Sequence, residues 1–230
     1  MSAEGYGRYG IYVLPEGRFH DAGAEWLGWD CVAGREVGHP EVAGLPGPAD
    51  ALTATPRKYG FHGTVKPPFR LATGTDAAML DEAARAFCST RAPVEIPLLE
   101  VRRLGNFIAV VPTAPSAALA DLAAETVMAL DRFRAPPAEA ELARRRKANL
   151  TARQEENLLR WGYPYVMEDF RFHLTLTGRL GPEAADIARD ALAAHFAPVL
   201  PRPFRIGSLC LVGEDDTGRF HLVHRYTLSG

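Results

Sequence analysis

The sequence predicts an α+β fold: antiparallel sheet with helices on its outer faces, in two pseudo-symmetric lobes around a central cleft. Three observations carry that expectation. Each half of the chain contains a segment of the form Phe-His-x-Thr-apolar, Phe61–Val65 in the first and Phe172–Leu176 in the second. Each is followed by a helical stretch and then by two strand-like stretches. The two motif histidines stand 111 residues apart (173 − 62), close to half of a 230-residue chain, as an old internal duplication would leave them.

The elements follow in order. Tyr9, Ile11 and Val13 share one face of a strand over 8–14. A Gly/Pro-rich loop fills 15–56, interrupted by AEWLGWD, and a stretch that long is either functional or conceals short elements. A strand over 59–65 is stopped by Pro67 and Pro68, and Asp76 opens a helix that runs to about residue 89. Strands over 94–103 and 107–111 enclose a turn at Leu104-Gly105-Asn106, and a helix over 116–130 has Leu119, Leu122, Ala123, Thr126 and Val127 at helical spacing.

A polar helical hairpin over 138–161 has no counterpart in the other half; Thr151 with Gln154 caps its second helix and Gly162 ends it. A strand over 170–177, a helix behind Pro182, and strands over 204–212 and 220–228 complete the chain. The expected organisation is one bilobal domain, with lobe one over 8–112, lobe two over 116–230 and the hairpin as an insertion.

Composition bounds the function. A hydrophobic fraction of 47% with 23% charged residues is that of an ordinary globular chain, and no apolar run reaches the length of a membrane span. A cytoplasmic protein is expected, since the N-terminal segment lacks a basic-then-apolar signal layout. A net charge of −2 argues against coating extended nucleic acid. Cys31, Cys88 and Cys210 are too widely spaced for a Cys-x-x-Cys knuckle and read as small buried apolar residues, so neither a metal site nor a cofactor is expected.

Phe-His alone is uninformative, because it also occurs at 19–20 and 220–221. The specificity lies in the whole pattern occurring once per half. Strand alternation puts Arg171, His173 and Thr175 on one face, away from Phe172 and Leu174, and likewise Lys58, His62, Thr64 and Lys66 away from Phe61 and Val65. Two histidines facing one substrate supply a base and an acid near neutral pH, threonine hydroxyls donate to phosphoryl oxygens, and Lys58, Lys66 and Arg171 add positive charge. That is a phosphodiester chemistry. Tyr12 on the first strand and Tyr163 behind the hairpin are further candidates to touch the substrate, and the hairpin is a candidate lid.

With these motifs, and with RKYGFHGTVKPPF, LARRRKANLT and RWGYPYVMEDFRFHLTLTGRL, the chain resembles the two-histidine phosphoesterase superfamily, in its branch found with phosphonate degradation. The resemblance implies a metal-independent cyclic phosphodiesterase fold, with His62, Thr64, His173 and Thr175 at the catalytic positions, and a small phosphorylated partner, a nucleotide or ribosyl phosphate. A non-catalytic module that binds a nucleotide or RNA end, and RNA-ligase or tRNA-type phosphodiester chemistry, are the alternatives. The first needs no matched acid and base, and the second needs a larger basic surface than a net charge of −2 provides.

Overall fold

A computed structural model describes residues 5–230. In chain order the elements are β1 (Arg8–Val13), α1 (Gly17–Leu27), β2 (Trp29–Asp30), β3 (Arg35–Glu36), α2 (Ala49–Thr53), β4 (Gly63–Phe69), α3 (Ala77–Cys88), β5 (Val94–Ile96), β6 (Leu99–Leu104) and β7 (Phe107–Pro112). There follow α4 (Ala117–Ala129), α5 (Glu139–Arg146), α6 (Ala152–Trp161), β8 (Leu174–Thr175), α7 (Pro182–Phe196), β9 (Phe204–Ile206), β10 (Ser208–Glu214) and β11 (Phe220–Thr227).

The caps act where the sequence places them. Asp76 accepts the Met79 amide hydrogen at the head of α3. Thr151 and Gln154 form a reciprocal capping box on α6, which Gly162 closes at φ 75°.

Seven strands form one sheet in the order β11-β10-β1-β4-β8-β7-β6, with antiparallel pairing throughout. This order interleaves the two halves of the sequence. The β6–β7 hairpin of the first half pairs with β8 of the second motif, while the β10–β11 hairpin of the second half pairs with β1 beside the first motif. The expected division at residues 112–116 therefore does not follow the strand pairing. Each end of the sheet draws strands from both halves, and β4 and β8 meet at its middle.

Alternation gives the sheet two unlike faces. Ile11, Val65, Val110 and Leu174 pack with Trp26, Leu80, Leu122 and Leu192 of the helices in the main core. Tyr12 and Leu14 face the other way and join Trp29, Cys31, Cys210, Val212 and Phe220 in a smaller core roofed by the β2–β3 ribbon. All three cysteines are buried thiols without a disulfide. Among the described residues no helix is long and apolar enough to cross a membrane.

Four elements depart from the sequence expectation. The 15–56 loop contains α1, whose pattern is broken by Gly23; a Cβ there would lie 2.0 Å from the Phe61 ring, so the glycine is dictated by a long-range contact. The strand expected over 59–65 is displaced to Gly63–Phe69, because residues 57–59 form a 3₁₀ turn and Gly60 reverses the chain at φ 71°. It continues through Pro67 and Pro68, where an irregular register with β1 spares the prolines from donating to the ladder. Pro97 splits the strand expected over 94–103 into β5 and β6, and the strand expected over 170–177 shrinks to the two residues of β8.

Candidate active site: two histidines across one strand pair

The β4–β8 register is fixed by Gly63 opposite Leu174. In an antiparallel ladder the residues on either side then face each other in crossed pairs, His62 with Thr175 and Thr64 with His173. Each histidine thus has the other motif's threonine as its cross-strand neighbour. The close approach explains why the first motif reads His-Gly-Thr and the second His-Leu-Thr. A Cβ on Gly63 would lie 2.3 Å from the Phe172 ring, so the glycine of one motif makes room for the phenylalanine of the other.

The phenylalanines anchor the motifs from below. Phe61 is fully buried, edge-on to Phe19 at 5.1 Å and stacked with Phe196 at 6.0 Å, and Phe172 packs in the same core. With its neighbour locked, each histidine is oriented by its own backbone. His62 Nδ1 lies 2.9 Å from the Gly60 carbonyl and His173 Nδ1 lies 2.7 Å from the Arg171 carbonyl, in both cases two residues back. A carbonyl only accepts, so Nδ1 carries the hydrogen in both rings and Nε2 presents its lone pair.

Beyond this shared feature the two sites differ. The His62 ring stacks on Tyr12 at 3.8 Å between centroids, and its Nε2 accepts from the Thr64 hydroxyl at 2.9 Å. Burial pushes its pKa down to about 4; the Gly60 carbonyl works against this shift, and the neighbouring His173 adds to it. His173 leans on Phe107 at 5.7 Å, and no side chain among the described residues bonds its Nε2. Its pKa is also lowered by burial, against the pull of the Arg171 carbonyl.

A cleft of about 300 Å³ is lined by His62, Thr175, Tyr59, Asn106, Phe107 and Arg179 among others, and does not include His173 or Thr64 in its lining. Of these, Tyr59, Asn106, Phe107 and Arg179 go beyond the sequence-derived candidates. Arg179 alternates with Thr175 and Thr177 along the chain, which is the signal that marks it. Its neighbours are tied down, Gly178 donating to Leu52 O at 2.7 Å and Leu180 to Asn106 O at 2.7 Å.

Several candidates lie elsewhere. Lys66 is 2% exposed, and its Nζ donates to Asp131 at 3.1 Å and to the Val127 carbonyl at 3.2 Å, so its charge is committed to the interior. Burial lowers its pKa to about 8, with Asp131 opposing. The irregular register of β4 beyond Thr64 carries it off the histidine face. Lys58 sits in the 3₁₀ turn with Nζ over the Tyr59 ring at 4.9 Å, and does not line the cleft. Tyr12 is fully buried beneath His62 and touches the ring, leaving no surface for a ligand.

Tyr163 lines a separate small cavity with Lys66, Trp161 and Arg145, whose guanidinium lies 4.6 Å from the ring. The hairpin above it is fastened to β4 through Arg134, which pairs with the Lys66 partner Asp131 and donates to the Arg160 carbonyl. Arg171 is exposed and lines a separate groove that includes neither motif histidine. Thr177, which strict alternation beyond Thr175 would put on the open face, is buried as a clip that accepts from the Ile108 amide. Among the described residues no three His, Cys, Asp or Glu side chains gather as a metal-ligand set.

Comparison with known proteins adds relatives to this geometry. A ribose 1,5-bisphosphate phosphokinase PhnN from Janthinobacterium sp. (strain Marseille) is 38% identical over 225 residues, covering 95% of this chain and 50% of that protein. A protein of the same name from Laribacter hongkongensis (strain HLHK9) is 34% identical over 213 residues, covering 92% of this chain and 49% of that protein. The chain spans about half the length of these curated relatives. A crystal structure of E. coli LigT complexed with NADP+ aligns over 98% of this chain and 99% of its own, at 13% identity and a TM-score of 0.49. A family model described as protein of unknown function (DUF1045) matches residues 64–221, and the chain belongs to that family.

Proposed function

We propose that the protein hydrolyses a cyclic phosphate or a small phosphodiester without a metal ion. The observation that carries this reading is the crossed pair: two histidines on one face, both held as Nδ1–H tautomers, each opposite the other motif's threonine. The resemblance of both motifs to those of two-histidine phosphoesterases supports it.

The inequality of the rings suggests their roles. His62, driven to the neutral form by burial, is the base: its Nε2 removes a proton from water as the water oxygen attacks phosphorus. The Thr64 hydroxyl that occupies this nitrogen in the free protein turns to a phosphoryl oxygen when substrate enters. His173, the more open ring, is the acid; protonated at Nε2, it gives that proton to the leaving oxygen as the phosphorus–oxygen bond breaks. The product is a phosphate monoester. The two threonine hydroxyls donate to the non-bridging oxygens, where charge builds in the transition state.

A ribosyl phosphate of phosphonate breakdown is the substrate we favour, since relatives that contain a counterpart of this chain are named for a ribose bisphosphate kinase. We assign the kinase activity of those longer proteins to the half this chain does not match. None of the three lysines follows a glycine, so the chain lacks the Gly-Lys-Ser/Thr end of a phosphate-binding kinase loop.

The test is a panel of cyclic and linear phosphodiesters, including a ribosyl 1,2-cyclic phosphate, incubated with purified protein with and without EDTA and read by ³¹P NMR. Conversion of a diester to a monoester at equal rates in both arms is expected. No turnover of any diester, or activity lost to EDTA and restored by a divalent ion, would overturn the reading.

A further inference from the structure

The segment before β8 leaves the sheet, and what it leaves behind is a second recess. The pairing of β7 with β8 consists of Ala109 with Thr175 and Val110 with Leu174, and no pair continues from Val111 toward residues 170–172. A groove of about 400 Å³ occupies the gap, lined by Arg171 and Phe172 just ahead of His173 though not by His173 itself, and sharing no residue with the cleft that holds Thr175 and Arg179. Its apolar walls include Leu104, Val111 and Phe170, and its polar members include Arg102 and Arg171.

Both arginines line this groove. Arg102 pairs in register with Ala109, which pairs with Thr175, so it projects from the same sheet face as the crossed motifs. Its partner is Glu100, two residues away on the same strand, in an exposed ion pair that contributes little and exchanges readily. The Arg171 side chain makes no hydrogen bond and no ion pair among the described residues, while its backbone carbonyl is the group that orients His173. A guanidinium with no hydrogen bond or close ion pair, subject only to the longer-range pull of Asp169, two residues from a candidate catalytic ring and at the wall of a largely apolar recess, is suited to a phosphate, which it meets with two parallel donors.

We infer that this groove binds a second phosphate of the substrate, separate from the one that is cleaved. The inference rests on the phosphodiesterase reading above and narrows it to sugar or nucleoside diesters that also carry a phosphate monoester. With Lys66 and Lys58 turned away from the site, Arg102 and Arg171 supply the positive charge on this side of the histidine pair.

The experiment compares one cyclic diester with and without the extra group: adenosine 2′,3′-cyclic phosphate and its 5′-phosphorylated form. For the native protein the ratio of kcat/KM should favour the doubly phosphorylated substrate by about tenfold or more, the range of a charge-assisted hydrogen bond. Arg171→Ala and Arg102→Ala should each reduce that ratio, the double variant should bring it near one, and Arg171→Lys should keep part of it. A merely structural role would change both substrates alike and leave the ratio intact. A ratio near one in the native protein, or one unmoved in the double variant, overturns the inference.

Should neither diester turn over, calorimetric binding of adenosine 3′,5′-bisphosphate against adenosine 3′-monophosphate decides the point. Tighter binding of the bisphosphate that disappears in the double variant upholds the groove while the hydrolytic reading falls. Equal affinities overturn the groove as well.

Discussion

The two His-x-Thr motifs share a pattern and an orienting device, yet the protein has made them unequal. Around His62 the structure closes: Tyr12 lies under the ring, Tyr59 stands 6.0 Å away, and Thr64 occupies Nε2. Around His173 it opens: the partner is a backbone carbonyl, Phe107 covers one side, and the preceding residues have left the sheet. Two copies of one motif provide two chemically identical groups, and in the proposed mechanism only a difference in surroundings makes one a base and the other an acid. Burial is the largest lever on an imidazole, and it is applied harder to His62.

The comparison breaks first at the histidines themselves. His62→Ala and His173→Ala should each lower kcat by about 10² to 10⁴, with circular dichroism unchanged. Either variant retaining most of its activity would remove that ring from the chemistry. The threonines come next and sharpen the contrast. Thr64→Val and Thr175→Val should each cost about tenfold to a hundredfold through the lost phosphoryl hydrogen bond. Because only Thr64 bonds a histidine, Thr64→Val alone should alter the pH at which the acid limb of the rate profile falls. Identical profiles in the two variants would speak against unequal roles.

Smaller effects fall on stability. Gly63→Ala must displace the Phe172 ring and should cost about 1–3 kcal/mol in chemical denaturation, as overpacking does. Lys66→Met should cost about 1–3 kcal/mol by removing a charged hydrogen bond, while Asp131 keeps Arg134. If Lys66→Met instead raised KM with stability unchanged, the lysine would belong to the substrate site after all.

Much of the fold was legible because local chemistry sets it. Asp76, Thr151 with Gln154, and Gly162 mark helix ends wherever they occur, and the alternation around His62 and His173 separated the core face from the open face. What escaped depends on distant partners. Gly23 reads as a helix breaker until Phe61 is seen to need its space, and Lys66 reads as a site cation until a strand irregularity turns it toward Asp131. The interleaved strand order is also invisible locally, since a hairpin's sequence does not say which strand it will join. The expected strand over 170–177 failed where the groove opens, as local rules often fail beside a functional recess.

The pH dependence of kcat/KM in chelated buffer tests the central claim most directly. His62 must be neutral to accept a proton, so the rate should rise as pH increases through about 4. His173 must be protonated to donate one, and its pKa lies below the ordinary 6.5, so the rate should fall again before neutrality. The account predicts a bell lying wholly on the acid side of pH 7, insensitive to chelator. A rate that keeps rising above pH 7, or that vanishes with EDTA, would contradict it.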